Sequence, residues 1–265
     1  MKRQAESIPI WVAVVAVLFV CGAVTLLALS GRSATAQQKP PTPKPVIEKR
    51  ARDILREMGD YLKTAPAFIF KTTITYDQVL PTGQKLQFGA VTDVAVRRPN
   101  RLRAGRRGDL ENRQLWYDGK SITLLDVNEN VYATIAAPGV IDAALDLAMK
   151  KYGISAPLAD VVYADPYTLL MEKVEGATYV GLHSVGGTRC HHLAFTQKNV
   201  DWQIWIEDGK QLVPRKVVIT YKNDPGSPQF TAVISKWDFN VRLPDRLFIF
   251  HPPEGAGRVT IEEGK

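Results

Sequence analysis

Residues 68–100 read FIFKTTITYDQVLPTGQKLQFGAVTDVAVRRPN and decide the fold, because apolar and polar side chains alternate along two runs of this stretch. A period of two is typical of a strand with one buried face. Residues 81–83 (PTG) separate the runs and predict a turn. The stretch therefore predicts a β-hairpin that buries one face. Its alternating apolar residues are Phe68, Phe70, Ile74, Tyr76, Leu86, Phe88, Ala90, Val94 and Val96.

The hairpin lies between a helical pattern and a long series of further strands. Apolar residues recur at intervals of three and four over residues 46–65, which predicts a helix that Pro66 ends. Residues 139–175 interrupt the strands with two predicted helices, at 140–152 and 166–174. The remaining predicted strands are 101–105, 114–117, 121–125, 131–135, 178–184, 188–196, 201–207, 214–221 and 229–239.

These elements predict an α+β fold with ten or eleven antiparallel strands. Residues 46–265 form one predicted domain, in which residues 139–175 are a helical insertion, and it is long enough to enclose a sizeable core. So many strands packed against few helices favour a curved sheet wrapped around the helices. A large sheet of that kind can hold a cavity.

The amino end predicts export. Lys2 and Arg3 precede an uncharged, largely apolar run, and Ala34-Thr35-Ala36 before Gln37 fits a signal-peptide cleavage site. The run is also long enough to span a bilayer, so residues 8–29 could remain as an inner-membrane anchor. Both alternatives place the rest of the chain in the periplasm. Residues 37–45 (QQKPPTPKP) are a proline-rich linker.

Composition excludes several classes of protein. The 265 residues are 45% hydrophobic with two cysteines and no glycine repeat, which excludes disordered, disulfide-rich and collagen-like chains. The 34 Lys+Arg and 27 Asp+Glu residues give a net charge of +7. Six arginines lie between residues 97 and 107, but export and the following Asp109 and Glu111 argue against nucleic-acid binding. A solvated face, or one near anionic lipid head groups, explains the run better.

The sequence contains little catalytic chemistry. His191 and His192 point to opposite faces of a strand and cannot share a metal without a bulge. Cys190 beside His191 faces away from it for the same reason, which argues against a nucleophile with its base. The glycine and glutamate that a calcium loop starting at Asp126 requires are missing. We therefore expect no metal, no cofactor and no catalytic residues, and a protein that is not an enzyme.

Short motifs resemble the periplasmic lipoprotein carrier family in order and spacing over residues 46–262. They are the strand end Val96-Arg97-Arg98-Pro99-Asn100, the hairpin at 116–121 (WYDGKS) and the segment 248–255 (FIFHPPEG). Residues 157–160 (PLAD) and 201–221 are more narrowly similar to the DUF2092 family of predicted periplasmic proteins. The resemblance implies an unclosed antiparallel β-barrel, capped by helices, around a hydrophobic cavity for acyl chains.

The resemblance also implies a role for Arg98. In the carriers, the arginine before the proline of the strand-end motif helps to hold the helical lid closed, and Arg98 stands at that position. This sequence departs from the carriers in having Arg97 beside it and in the insertion at 139–175. We expect Phe70, Phe88 and Trp116 to line the cavity.

Two functions follow from these patterns. The first is a non-enzymatic binding protein for a lipid or an acylated protein, with contact to a membrane surface. The alternative is an envelope-tethered interaction or sensor module without bound lipid, which a retained anchor would favour.

Overall fold

The computed structural model describes residues 45–154 and 157–263. The signal or anchor segment and residues 37–44 of the predicted linker lie outside the described residues. Three helices are present: α1 (Lys49–Thr64), α2 (Ile141–Tyr152) and α3 (Pro166–Met171). The insertion at 139–175 therefore contains two helices, α2 and α3, as the pattern predicted. Among the described residues, no helix combines the length and the hydrophobicity needed to cross a membrane.

Within the described residues, twelve strands form one mainly antiparallel sheet that is not closed. The first half contains β1 (Ala67–Val79), β2 (Lys85–Arg97), β3 (Arg101–Gly108), β4 (Asn112–Tyr117), β5 (Ser121–Asp126) and β6 (Val131–Ala136). The second half contains β7 (Gly176–Val185), β8 (Thr188–Thr196), β9 (Val200–Glu207), β10 (Pro214–Tyr221) and β11 (Gln229–Asp238). The short β12 (Gly257–Arg258) pairs in parallel with β6. The predicted α+β class and open antiparallel sheet are confirmed.

The order of strands is β12-β6-β5-β4-β3-β2-β1-β11-β10-β9-β8-β7. Each half is a meander of hairpins, and the two halves meet where β1 pairs with β11. The predicted hairpin is the β1–β2 pair, in register from Ala67 with Arg97 to Val79 with Lys85. The strand predictions at 188–196 and 214–221 match β8 and β10 in both bounds.

One face of the sheet, which we call the concave face, packs against the helices. Phe68, Phe70 and Ile74 of β1 lie on it, with Val96 and Ala90 of β2, as the alternation predicted. A positive φ of 54° at Lys236 breaks the alternation of β11, so that Ala232, Ile234 and Trp237 are all buried. Regular alternation would place Trp237 on the other face from Ile234, and the bulge turns it onto the concave face instead.

The opposite, convex face of β3–β6 is covered by the end of the chain. We call residues 239–263 the C-terminal strap. Phe248 of the strap is fully buried, and the Phe250 ring lies 4.9 Å from the rings of Trp116 and Tyr132. The β6–β12 pairing holds the far end of the strap, where the Val259 amide donates to the Tyr132 carbonyl at 2.8 Å. The strap therefore covers aromatic side chains on the convex face of this half of the sheet.

Candidate functional site

The candidate site is the contact between the concave face and a helical cover, which consists of α1, α2 and α3. Ala51, Leu55, Met58 and Leu62 of α1 have no exposed surface, because their spacing of three and four residues places them on one side of the helix. The buried side of α2 is formed in the same way, by Ile141, Ala144 and Ala148. These side chains and the concave face form one apolar cluster. The cover is therefore held to the sheet mainly by side-chain packing.

The first end of α1 is fixed to the edge strand β7. The Glu48 amide donates to the Ala177 carbonyl at 2.9 Å, and the Ala177 amide donates to the Val46 carbonyl at 3.0 Å. The Glu48 carboxylate accepts a hydrogen bond from the Tyr179 amide at 2.9 Å. The Arg50 guanidinium lies 3.7 Å from the centre of the Tyr179 ring. Polar and cation–π contacts thus tie α1 to one edge of the sheet.

The second half of α1 packs against α3. A Cβ atom on Gly59 would lie 2.6 Å from the Cβ atom of Tyr167, so only glycine allows the two helices to approach this closely. Arg56 donates to the Tyr167 hydroxyl at 3.0 Å. Lys63 contacts Asp165 at 3.1 Å, and Asp165 caps α3 by accepting from the Thr168 amide. These polar contacts are partly exposed and can exchange with water at modest cost.

Arg98 links the sheet to the segment between α2 and α3. Its two terminal nitrogens donate to the carbonyl oxygens of Val162 and Tyr163, both at 2.8 Å. The guanidinium lies 5.7 Å from the centre of the Phe68 ring. Burial lowers the pKa of Arg98, and the negative charge of Asp142 partly opposes that shift. Charge-assisted hydrogen bonds from a part-buried arginine hold this segment against the sheet.

Arg97 makes its contacts on the other face of the sheet. It donates to the Leu243 carbonyl of the strap at 2.7 Å and forms an ion pair with Asp245. Arg97 is the last residue of β2 and Arg98 the first residue after it, and the two side chains hold different segments. The departure from the carrier motif, two arginines instead of one, thus has a structural explanation.

The three residues predicted to line a cavity do not share one surface. Phe70 is buried on the concave face, with its ring centre 4.5 Å from that of Trp237. Phe88 lies on the same face, half-buried beside Tyr76 near the turn of the hairpin. Trp116 packs on the convex face, against Phe250 of the strap and the Arg103 guanidinium. The placement of Trp116 with Phe70 was therefore wrong, because Trp116 lies on the opposite face, where Phe250 of the strap covers it.

The space between the concave face and the cover is filled by side chains in this structure. Leu55, Met58, Leu62 and Phe68 meet there without exposed surface. Two depressions, of about 520 and 460 Å³, lie at its margins. The larger is lined by Lys49, Arg50, Asp53, Ile54, Glu57 and His191, and the smaller lies between β6, Tyr152 and the strap.

Three of the six arginines of the run contact carboxylates. Arg106 contacts Glu111 at 2.7 Å, and Arg113 lies between Glu111 and Asp126. Arg97 and Arg101 both approach Asp245 of the strap. Most of the run therefore makes contacts within the fold, with carboxylates or with neutral groups.

Comparison with known proteins places the chain in a family. The model of the predicted periplasmic proteins DUF2092 matches residues 51–262. The chain belongs to this family. The matched residues cover the sheet, the helical cover and nearly all of the strap, so the architecture described here belongs to the DUF2092 domain. No curated protein matches the chain.

Several solved structures resemble the DUF2092 chain in fold. An uncharacterized conserved protein from Thermus thermophilus is 10% identical with a TM-score of 0.46, over 80% of this chain and 99% of that one. The lipoprotein LppX from Mycobacterium tuberculosis is 16% identical with a TM-score of 0.45, over 74% and 100%. LprF from Mycobacterium bovis is 13% identical with a TM-score of 0.44, over 76% and 98%. These likenesses concern the fold alone.

The histidines of β8 in the DUF2092 chain separate as the period of two predicts. His191 faces α1, where its Nδ1 atom lies 3.1 Å from the Tyr179 hydroxyl and its Nε2 atom 3.4 Å from the Asp208 carboxylate. His192 points to the convex face and stacks on Trp205 at 3.9 Å between ring centres. Cys190 is fully buried on the side away from His191.

Cys190 is expected to be inert in the folded DUF2092 chain. Burial, followed by the negative charge of Glu207, raises the pKa of the thiol to about 11 from 9.0. At pH 8 the thiolate fraction is then about 100-fold lower than at the ordinary pKa, and only the thiolate reacts. In a Cys21→Ser background, an aromatic disulfide reagent should react at least about 100-fold more slowly with the native protein than with the urea-unfolded protein. Equal rates would contradict this placement of Cys190.

Proposed function

We propose that this protein binds a lipid or an acylated polypeptide between the concave face and the helical cover. It would act in the periplasm as a carrier without catalysis of its own. The observation that supports the proposal is a broad apolar sheet face covered by helices whose polar attachments are few. Those attachments are the β7 edge contacts of α1, the two Arg98 hydrogen bonds, the hydrogen bond from the Ile141 amide to the Pro99 carbonyl at 2.9 Å, and the ion pair of Lys151 with Glu263 of the strap.

The hydrophobic energy of an acyl chain exceeds that of the polar contacts that Arg98 makes to the cover. Each buried methylene contributes about 0.8 kcal/mol, so a chain of about 14 methylenes contributes roughly 11 kcal/mol before the costs of binding. Two charge-assisted hydrogen bonds contribute about 1.5–3 kcal/mol each to the closed cover. An acyl chain can therefore offset the loss of the Arg98 contacts, and its methylenes can take over part of the apolar contacts of the helices. We propose Arg98 as the residue that gates the cover.

The filled interior sets the order of events. Because Leu55, Met58 and Phe68 occupy the space in this structure, a ligand must displace the cover before it reaches the buried centre of the concave face. Phe88 is half-buried near the turn of the hairpin, and Phe70 lies deeper on the same face. We propose that an acyl chain first contacts Phe88 and reaches Phe70 once the cover has moved.

Native mass spectrometry of the full-length protein tests this proposal. Protein purified from a bacterial host should carry acyl lipid, and delipidated protein should take up a fatty acid or a diacyl phospholipid from detergent. Phe88→Asp places a charge on the concave face and should reduce uptake at least about 10-fold, since burying an unpaired carboxylate costs several kcal/mol.

The matched control is Val91→Asp. Val91 lies on the same strand, points to the other face and is 40% exposed. This variant should take up ligand like the unmodified protein. A protein that stays lipid-free when offered both ligands contradicts the proposal, and so does equal loss of uptake in the two variants.

A second candidate function is an interaction or sensor module without lipid, tethered in the inner membrane by residues 8–29. The filled space under the cover favours it, because such a module needs no cavity. The mature amino end separates the two functions. A mature chain that starts at Gln37, after cleavage at Ala36, supports a mobile carrier, and a chain that retains Met1 supports a tethered module.

A further inference from the structure

Two histidines that the proposed function does not use meet on the convex face. They are His183 of the edge strand β7 and His192 of β8. In a regular strand, His183 would share the face of Tyr179, because the two are four residues apart. The pairing instead shifts between Tyr179 and Gly181, where Tyr179 pairs with Leu193 and Gly181 with His192. This bulge turns His183 onto the face of His192.

Gly181 is the residue that permits the shift. Its φ is 143°, a value that side-chain-bearing residues rarely adopt. Beyond it the register is regular again, with His183 opposite Cys190. His183 is exposed at the sheet edge, so its ring has room to turn. Bulges are common beside functional sites because they re-aim a side chain in this way.

The two imidazole rings present the same type of nitrogen to each other. The Nδ1 atoms of His183 and His192 lie 3.1 Å apart. The Nε2 atom of His192 lies 2.9 Å from the Oε1 atom of Gln203, an acceptor, so the proton of His192 belongs on Nε2 and its lone pair on Nδ1. Trp205 stacks on the His192 ring at 3.9 Å and fixes its plane. One ligand is thus oriented in advance by a second residue behind it.

We propose that His183 and His192 chelate a divalent transition-metal ion through their Nδ1 atoms. Bonds of about 2.05 Å from nitrogens 3.1 Å apart meet at the metal at about 98°, between square-planar and tetrahedral geometry. The Nδ1 atoms now lie at hydrogen-bond distance from each other, so the exposed His183 ring must rotate to aim its lone pair at the ion. Copper(II) fits best, because imidazole suits it and it binds most tightly among first-row divalent ions.

The surroundings of His192 favour a neutral ring. Burial lowers the pKa of His192, and the nearby charges of His183 and Lys216 act in the same direction, against the Gln203 hydrogen bond. A neutral imidazole is the form that ligates. The Lys216 ammonium lies over the Trp205 ring, 4.7 Å from its centre, and not between the two histidines. Among the described residues, no three His, Cys, Asp or Glu side chains converge, so water or an atom of another molecule completes the coordination.

Quenching of Trp205 fluorescence tests the proposal. A copper(II) ion on His192 would lie close to this indole and quench it. Untagged full-length protein is titrated with copper(II) alone, and quenching should saturate below about 100 µM. His183→Ala and His192→Ala should each weaken binding at least about 10-fold, and Gln203→Leu should weaken it by about 10-fold through loss of the orienting hydrogen bond. Trp205→Phe should lose the signal but retain binding by calorimetry.

His191→Ala is the matched control, because His191 is the neighbour of His192 and faces α1. Its affinity should stay within about two-fold of the unmodified protein. Because His183 is exposed, His183→Ala should leave the fold intact. Weaker copper binding in this variant would therefore reflect the loss of a ligand and not the loss of the fold. The proposal is overturned if the unmodified protein does not saturate, if His183→Ala binds like it, or if His191→Ala loses as much affinity as His192→Ala.

Discussion

An Arg98→Met variant is expected to loosen residues 157–171 of the cover while the sheet stays folded. The carbonyl oxygens of Val162 and Tyr163 lose charge-assisted donors that contribute about 1.5–3 kcal/mol each. Removal of the buried guanidinium recovers part of that energy, since burial of the charge is unfavourable. The free energy of local opening should therefore fall by about 2–3 kcal/mol. Amide hydrogen exchange of residues 157–171 should be roughly 30–150-fold faster.

Arg97→Met is the control for this variant. Arg97 is the neighbouring arginine, but it holds Leu243 and Asp245 of the strap on the other face. Exchange should therefore accelerate around residues 243–250 and stay unchanged at 157–171. If both variants accelerate exchange in the same segment, the two arginines do not act on separate segments. If Arg98→Met also takes up acyl ligand faster, the gating role proposed for Arg98 gains support.

A Phe68→Ala variant is expected to lose about 3–5 kcal/mol of unfolding free energy. Phe68 is fully buried, and its ring centre lies 5.8 Å from those of Trp237 and Phe239 and 6.3 Å from that of Phe70. Because side chains of several elements enclose the position, the cavity left by the substitution cannot collapse easily. Urea unfolding followed by tryptophan fluorescence measures the change as a lower midpoint with an unchanged slope.

Phe88→Ala gives the comparison at another aromatic position of the same face. Phe88 is half-buried near the hairpin turn and packs on Tyr76 at 6.0 Å between ring centres. Its substitution should cost less than about 1.5 kcal/mol, because less surface is buried and water can fill the gap. Equal losses of unfolding free energy in the two variants would show that Phe68 is not more tightly enclosed under the cover than Phe88.

Local patterns predicted the elements well. The alternation at 68–96 gave the hairpin and its buried side, and the spacing of Leu55, Met58 and Leu62 gave the buried side of α1. These features depend on residues that are close in sequence, so the spacing of apolar residues is sufficient to predict them. The family resemblance supplied the open sheet and pointed to Arg98, which the structure places on two carbonyl oxygens of the insertion.

Features that depend on distant segments could not be read in this way. The alternation around Trp116 identified an apolar face of β4, but Phe250 covers that face from the far end of the chain. The bulge at Lys236 shifts the period of β11, and no turn residue signals it. His183 and His192 meet only because of the register shift at Gly181, although a glycine within a strand pattern is itself a signal for a bulge.

The pairing of β1 with β11 has a consequence for how the protein reaches its native state. The central seam joins residue 76 to residue 230 and residue 69 to residue 238, so it closes a loop of most of the chain. Folding becomes slower as pairings between distant residues make up more of a structure. The entropy cost of closing the loop must be met before the paired strands can stabilise each other. The carboxyl-terminal meander must be made before the sheet can be completed. A nascent chain can therefore close this seam only after residue 238 has been synthesised, although the hairpins of its first half need no such distant partner.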